Sequence, residues 1–313
     1  MATPVATATP DVLVCSTAIE RFVPGSNEVQ FGKLRFIGGL QYTSADRRLG
    51  GVSSIRFRPD GHAFVSVLDT GDWMTGTIRR DEGGRLQGLE NVEIRPMLGR
   101  DGTAGSKADM DAEGLALRQG QAVVSFERHH RIDAYPDPGF GKSAPRSLDM
   151  VISRAELRSN GGIEALVVSP EAGPLQGALV AVAEKSIDAE GNLFAAILEG
   201  PQTEIFKVVK HSPWDVTDGA FLPDGDLLLL ERRFSFSGGI GMRIRRIAGD
   251  AIRPGARVDG EVLIEAGMSS EIDNMEGIDV IQGPNNETRI ILVSDDNTSF
   301  LQRNLMLEFQ LTD

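Results

Sequence analysis

The sequence predicts an all-β protein, specifically a five-bladed β-propeller with four-stranded antiparallel blades. Two observations carry this prediction. Pairs of short apolar runs recur five times, roughly 50 to 60 residues apart, and a strand-bearing repeat of that length is typical of propellers. A turn, such as Pro59-Asp60-Gly61 or Pro223-Asp224-Gly225, separates the runs of a pair, so each pair is predicted to form a β-hairpin.

The segments outside the hairpins predict how the ring closes. Residues 12–19 and 33–43 have strand character and precede the first hairpin, whereas residues 304–311 form a strand after the last one. Propellers usually close by completing one blade with strands from both termini. We therefore expect residues 33–43 to be the outer strand of the last blade. A sixth blade built from residues 12–43 is the alternative.

Composition narrows the possible partners. A net charge of −13 argues against binding to nucleic acid, because phosphate contacts need clustered Lys and Arg. No apolar run is long enough to span a membrane. Residues 1–11 are expected to be a flexible lead-in without signal-peptide features, and residues 12–313 a single, monomeric propeller domain. The lone Cys15 rules out a disulfide framework.

A polar or acidic residue recurs at the start of every predicted hairpin. These residues are Ser54, Glu113, Glu164, Asp218 and Glu276. The innermost strands of a propeller surround the central channel, so the four carboxylates should converge there and repel one another unless a cation is bound. Calcium accepts many oxygen ligands in irregular geometry, whereas zinc prefers His or Cys. The pattern predicts a calcium site, with magnesium as the alternative; turn-capping acids are the competing interpretation.

A second set of polar residues follows the end of each hairpin. Because both ends of an antiparallel hairpin lie at one edge, this set should lie on the same rim as the first. We predict that it forms a substrate funnel, with Arg233 and Arg303 as further contributors. The candidate catalytic residues are Glu127, Arg128, His129, Glu184, Glu231, Arg232 and Asp295. A solvated surface network of ion pairs is the competing interpretation.

The sequence offers candidate general bases but no familiar nucleophile motif. His129 and the adjacent His130 are candidate general bases, because an imidazole titrates near neutral pH. The chain has no G-x-S-x-G elbow, Walker loop, H-E-x-x-H or C-x-x-C motif. If the protein is a hydrolase, metal-oriented water is therefore the expected nucleophile.

Several ordered motifs resemble the phytase-like family, often labelled "esterase-like activity of phytase". They are Asp111-Ala-Glu-Gly-Leu, Val124-Ser-Phe-Glu-Arg, Gly162-Ile-Glu-Ala-Leu, Thr217-Asp-Gly-Ala-Phe, Leu230-Glu-Arg-Arg-Phe, Asn274-Met-Glu-Gly-Ile and Val293-Ser-Asp-Asp-Asn. The resemblance covers roughly residues 33–311. It implies a propeller, ester or phosphoester hydrolysis, and a periplasmic or secreted location.

A more distant similarity connects the chain to calcium-activated nucleotidases of the apyrase type. The segment Asn274-Met-Glu-Gly-Ile-Asp-Val is similar to their last-blade Glu-Gly-Ile motif, and Ser54 stands at the equivalent place in the first repeat. Asp218 stands where those proteins would have serine, and the aromatic residues that bind the nucleotide have no clear counterpart. The comparison implies an axial calcium more strongly than a nucleotide substrate.

Together these observations predict a calcium-dependent hydrolase of a small-molecule ester or phosphoester. A non-catalytic binding propeller with a structural calcium is the alternative, because fold alone does not determine function.

Overall fold

The computed structural model describes residues 11–235, 238–297, 299 and 301–312. The predicted lead-in lies outside the described residues except for Asp11. Three strands precede the first repeat: β1 (Cys15–Ile19), β2 (Gln30–Phe31) and β3 (Leu34–Thr43).

The remaining strands form five sheets, one per repeat. Blade 1 contains β4 (Val52–Phe57), β5 (Ala63–Leu68), β6 (Asp72–Arg80) and β7 (Leu86–Pro96). Blade 2 contains β8 (Ala112–Arg118), β9 (Gln121–Phe126), β10 (Arg131–Pro136) and β11 (Arg146–Leu148). Blade 3 contains β12 (Ile163–Val168), β13 (Leu179–Ile187), β14 (Leu193–Ile197) and β15 (Glu204–Val208).

Blade 4 contains β16 (Asp215–Phe221), β17 (Leu227–Ser235), β18 (Gly239–Ile247) and, after the short β19 (Arg257–Val258), β20 (Glu261–Gly267). Strand β19 adds to the edge of blade 3 in parallel with β15. Blade 5 contains β21 (Asn274–Gln282), β22 (Thr288–Asp295) and β23 (Asn304–Leu311).

The five-bladed prediction is confirmed. Each inner strand packs against the inner strands of two other blades, in the circular order β4, β8, β12, β16, β21 and back to β4. Strand β3 pairs antiparallel with β23 and so completes blade 5, as the sequence predicted for residues 33–43. Strand β1 adds outside β3, so the N-terminal strands extend this blade and do not build a sixth.

The hydrophobic core is divided among the blade interfaces. Blades 4 and 5, for example, share Leu228, Met242, Ile278 and Phe309. Because both faces of a central strand meet neighbouring blades, the second strands are continuous apolar runs, as in Leu227–Leu230, whose side chains are all buried.

Helix is a minor component of the described ranges, with three short 3₁₀ turns at Phe140–Lys142, Arg154–Glu156 and Gly249–Ala251. None of the helices found there has the length and apolar character needed to cross a membrane.

Candidate functional site: an acidic mouth of the channel

A β-bulge interrupts the first rungs of every inner strand. The last pairs before the bulges are Val52 with Leu68, Ala112 with Phe126, Ile163 with Ala183, Val216 with Glu231, and Met275 with Ser294. A bulge adds a residue and re-aims its side chain. The residues that follow these pairs on the inner strands are Ser53, Glu113, Glu164, Thr217 and Glu276.

These bulged positions gather at one mouth of the channel. Four of them, all except Thr217, line a cavity of about 160 Å³. We call this cavity the acidic mouth. Its polar lining residues are Ser53, Asp69, Glu113, Glu127, Asn160, Glu164, Glu184, Lys185, Arg232, Glu276, Asp295 and Asn297.

Two of the predicted metal ligands lie one residue further along their strands. Ser54 and Asp218 are the first paired residues after the bulges of blades 1 and 4. Both are fully buried, and the Ser54 hydroxyl donates a hydrogen bond to Asp218 Oδ2 at 2.9 Å. The structure therefore places Ser53 and Thr217, not Ser54 and Asp218, in register with Glu113, Glu164 and Glu276. The Thr217 hydroxyl is 3.1 Å from the Met275 carbonyl oxygen of blade 5.

Arg56 neutralises Asp218 inside the channel. Its guanidinium reaches both carboxylate oxygens and also donates to the carbonyl oxygens of Leu166, Gly219 and Ile278. These contacts connect blade 1 with blades 3, 4 and 5. The channel interior is thus occupied by a paired charge below the acids of the mouth.

The hairpin ends carry a second ring of charged residues around the mouth. The residues directly after the bulge-paired positions of the second strands are Asp69, Glu127, Glu184, Arg232 and Asp295. Blade 4 therefore supplies Arg232 at the place where the internal repeats predicted Glu231. The Glu231 carboxylate is instead buried against Arg243 at 2.6 Å and Arg245 at 2.7 Å, and it does not line the acidic mouth.

All four acids of the second ring are held by neighbouring groups, and Asp69 Oδ2 pairs with Lys107 Nζ at 2.8 Å. Glu127 Oε1 accepts hydrogen bonds from the backbone N–H groups of Gly161, at 2.5 Å, and Gly162, at 3.2 Å. Asp295 Oδ1 accepts one from Gly51 N–H at 2.6 Å, and Glu184 pairs with Lys185 Nζ at 2.5 Å. Gly51 has a φ of 71°, and a Cβ there would lie 2.2 Å from Asp69 Oδ1, so this turn needs glycine.

Glu113 and Glu164 differ from these acids. Among the described residues, neither carboxylate accepts a hydrogen bond or has a cation within salt-bridge distance. Carboxylate oxygens of Glu127, Glu164 and Glu184 lie within 4.8 Å of one another, as do those of Asp111, Glu113 and Glu127. Burial, and then the nearby carboxylates, raise the pKa values of Glu113 and Glu164 well above the usual range. This geometry favours a bound cation.

Other residues of the mouth also have shifted pKa values. Burial raises the pKa of Glu276 to about 7 although Arg232 opposes the shift, and burial raises the pKa of Asp295 to about 6. Burial lowers the pKa of Arg232, but the nearby carboxylates, chiefly those of Glu276 and Glu184, outweigh it and raise this pKa. Arg232 NH1 lies 2.5 Å from Glu276 Oε1 and also contacts Asn274. Arg232 is thus a fixed positive group in a largely negative cavity.

The remaining candidates lie outside the cavity lining. Arg128 pairs with Asp111 at 2.7 Å, and His129, with 69% of its side chain exposed, lies 3.2 Å from Asp109. His130 is buried, and its Nε2 is 2.8 Å from the Arg158 carbonyl oxygen.

Both additional arginines are engaged beside the rim. Arg233 stacks over Trp214 at 5.2 Å, and Arg303 pairs with Glu271 at 2.5 Å. Sequence reasoning missed Ser53 and Asn160, which line the mouth. It also missed Asp111, whose carboxylate lies within 4.8 Å of those of Glu113 and Glu127, and the bulge residue Thr217. Asp111 had a signal, because it opens the second repeat next to Ala112.

A larger cavity, of about 640 Å³, opens at the turn side of the blades and includes Phe57, Leu117 and Val280. Its charged residues are already matched: Arg58 pairs with Asp137, and Arg118 pairs with Glu199. Unlike the acidic mouth, it therefore offers little unpaired charge for chemistry.

The fold and this site define a β-propeller with an acidic channel mouth. The sequence model of the phytase-like family, described as "esterase-like activity of phytase", matches residues 47–298. The chain therefore belongs to the phytase-like family, as its motifs predicted. A search of curated proteins finds no match.

The solved structures that a search matches to this chain share little sequence with it. An endo-arabinase from Bacteroides thetaiotaomicron VPI-5482 is 13% identical with a TM-score of 0.47, and the match covers 83% of this chain and 93% of the arabinase. The PQQ-bound aldose sugar dehydrogenase from Streptomyces coelicolor is 12% identical with a TM-score of 0.44, covering 97% and 99%. Similarities at this level carry no information about activity.

Proposed function

We propose that the protein is a calcium-dependent hydrolase of an ester or phosphoester and that the acidic mouth is its active site. The observation that carries this proposal is the pair Glu113 and Glu164, two carboxylates crowded by other acids and left without a hydrogen-bond donor or salt-bridge partner among the described residues. Such a pair is costly unless protons or a cation neutralise it. Membership of the phytase-like family supports ester chemistry.

The donor set fits a hard cation. Every candidate ligand atom that the described residues bring to the mouth is an oxygen, which suits calcium or magnesium and not zinc. The proposed ligands are Glu113, Glu164 and Glu276, with Glu127 and Glu184 completing the set. Ser54 and Asp218 are left out of the proposed ligand set. Arg56 already neutralises Asp218, and the Ser54 hydroxyl donates its hydrogen bond to Asp218. Calcium is preferred to magnesium because it tolerates many protein ligands. A periplasmic or secreted location is part of the proposal.

The residues around the proposed cation have separate roles in the reaction. Bound calcium would polarise the ester or phosphoester oxygen and orient a water molecule. Arg232, fixed by Glu276 and Asn274, donates N–H groups to the negative oxygen of the substrate. The Asp295 carboxylate, with a pKa of about 6, is ionised at neutral pH and accepts a proton from water. Arg128, Glu231 and His129 have no assigned role because they do not line the cavity.

Hydrolysis of p-nitrophenyl acetate and p-nitrophenyl phosphate, with calcium, magnesium or EDTA, tests this proposal. We expect calcium-dependent release of p-nitrophenol that EDTA abolishes and added calcium restores. Glu164→Gln should lower kcat/KM at least ~100-fold, because it removes a ligand. Glu190→Gln is the matched control, since Glu190 is an exposed acid of the same blade. Absence of turnover, or turnover unaffected by EDTA and Glu164→Gln, contradicts the proposal.

The blade contacts of the mouth favour one alternative, a scaffold propeller with structural calcium. Glu127 and Asp295 each hold the backbone that leads into the next blade, so the same acids also join neighbouring blades. In that case calcium should raise the melting temperature although no ester is cleaved. The hydrolysis assay and a parallel melting curve therefore separate the two functions.

A further inference from the structure

Blade 4 extends beyond the rim of the acidic mouth. Its inner strand β16 begins at Asp215, which pairs with Arg232, whereas β17 and β18 continue to pair as far as Ser235 and Gly239. The added rungs form a two-stranded projection beside the mouth.

This projection carries apolar side chains near its end. Phe234 is 68% exposed and pairs across the hairpin with Ile240. Met268, which is 71% exposed, follows β20 and touches the hairpin: a Cβ on Gly239 would lie 2.6 Å from Met268 Cγ. Ile240 also packs against the core between blades 4 and 5. We call Phe234, Ile240 and Met268 the apolar shelf.

The shelf continues the strand face that carries Arg232. Side chains two residues apart on a strand point to the same face, about 7 Å apart. Phe234 therefore lies on the face from which Arg232 reaches Glu276 in the mouth. A polar group bound at Arg232 would have its substituents within reach of Phe234.

We propose that the shelf binds the apolar substituent of the substrate, so that the substrate class is an amphiphilic ester with an alkyl or acyl chain of several carbons. This inference rests on the proposed hydrolysis. The cavity of the mouth, about 160 Å³, is smaller than the several hundred Å³ typical of a complete ligand site, so it accommodates the polar group while the rest of the substrate lies outside. The shelf offers that remainder an apolar surface in direct continuation of the mouth.

A chain-length series tests the shelf. The kcat/KM for p-nitrophenyl butanoate and octanoate is measured with calcium, below the micelle concentration. Each buried methylene contributes up to about fourfold, so octanoate should exceed butanoate at least ~10-fold in the wild type. In the double variant Phe234→Ser, Met268→Ser the ratio should fall below ~3-fold. Val262→Ser, an exposed apolar residue at the far end of the same sheet, should behave as wild type.

Calorimetric binding of butyl- and octylphosphonate with calcium separates this inference from hydrolysis itself. Tighter binding of the octyl compound, lost in the double variant, supports the shelf even if no ester is cleaved, and that result overturns only the hydrolysis. Cleavage without a chain-length preference, or a preference that survives in the double variant, overturns the shelf and leaves the hydrolysis standing.

Discussion

Arg56 and Asp218 form a two-point ion pair inside the channel, with NH1 2.9 Å from Oδ2 and NH2 2.7 Å from Oδ1. Both side chains are buried, so neither charge is solvated by bulk water. A buried pair contributes little net stability while intact, but either partner left alone is costly. Asp218 is therefore committed to Arg56, although it belongs to the recurring acidic pattern.

Asp218→Asn should accordingly act on folding. We expect it to lower the free energy of unfolding by about 3–5 kcal/mol, because Arg56 is left as an uncompensated buried charge. Urea unfolding measures this loss, and the double variant Arg56→Met, Asp218→Leu should lose less. Calcium affinity of the folded variant should stay close to that of wild type. A variant with normal stability and weakened calcium binding would support the original prediction that Asp218 is a ligand.

The bulges explain why the internal repeats point to the neighbouring residue in blades 1 and 4. Ser53 and Ser54 are both polar, as are Thr217 and Asp218, so the sequence offers two candidates in each blade. Which of them is the extra residue depends on the pairing with the second strand, and apolar periodicity does not reveal a bulge. In blades 2, 3 and 5 both neighbours of the glutamate are apolar or glycine, so only one polar candidate is available and the predicted residue is the bulge residue.

More of the fold than of the candidate site could be predicted from the sequence. Repeats impose the blade number, and the unpaired strand at residues 304–311 required a partner from the N-terminus, which β3 supplies. Glu231 illustrates the limit for the site. It precedes Arg232 and Arg233, but its partners Arg243 and Arg245 come from the next strand, and only the cross-strand register brings them together.

Glu231→Gln should therefore destabilise the fold without affecting the mouth. We expect a loss of about 3–5 kcal/mol, because Arg243 and Arg245 are buried and lose their shared counter-charge. Chemical unfolding measures the loss, with Glu265→Gln as an exposed control from the same blade. The calcium-dependent rate of the folded fraction should be unchanged; a reduced rate at normal stability would instead place Glu231 in catalysis.

Glu164→Gln should change stability in opposite directions with and without calcium. In EDTA the variant should melt about 2–4 °C higher than wild type, because one member of a repelling cluster is neutral. With saturating calcium it should melt lower, because a ligand that stabilises the folded state is lost. Scanning calorimetry of the wild type, Glu164→Gln and the control Glu190→Gln measures both effects. Identical melting of all three proteins under both conditions would exclude a cation at the mouth.

The metal-free protein should lose stability as the pH rises. The pKa of Glu276 increases from 4.5 to about 7, and that of Asp295 from 3.8 to about 6, so the folded state retains protons that the unfolded chain has released. This stabilisation is complete below the unfolded pKa values and disappears as the pH passes the folded ones.

Urea unfolding in EDTA, from about pH 4.5 to about pH 7.5, should show a decrease of a few kcal/mol, since one pKa unit corresponds to about 1.4 kcal/mol. Groups with lowered pKa values, such as Asp188 and Asp259, titrate below this window and do not oppose the trend. Glu276→Gln should make the profile shallower, because only the contribution of Asp295 and other mouth acids then remains, whereas Glu190→Gln should leave it unchanged. Calcium binds the ionised carboxylates, so its stabilising effect should grow over the same window; stability that rises with pH in EDTA would contradict this account of the mouth.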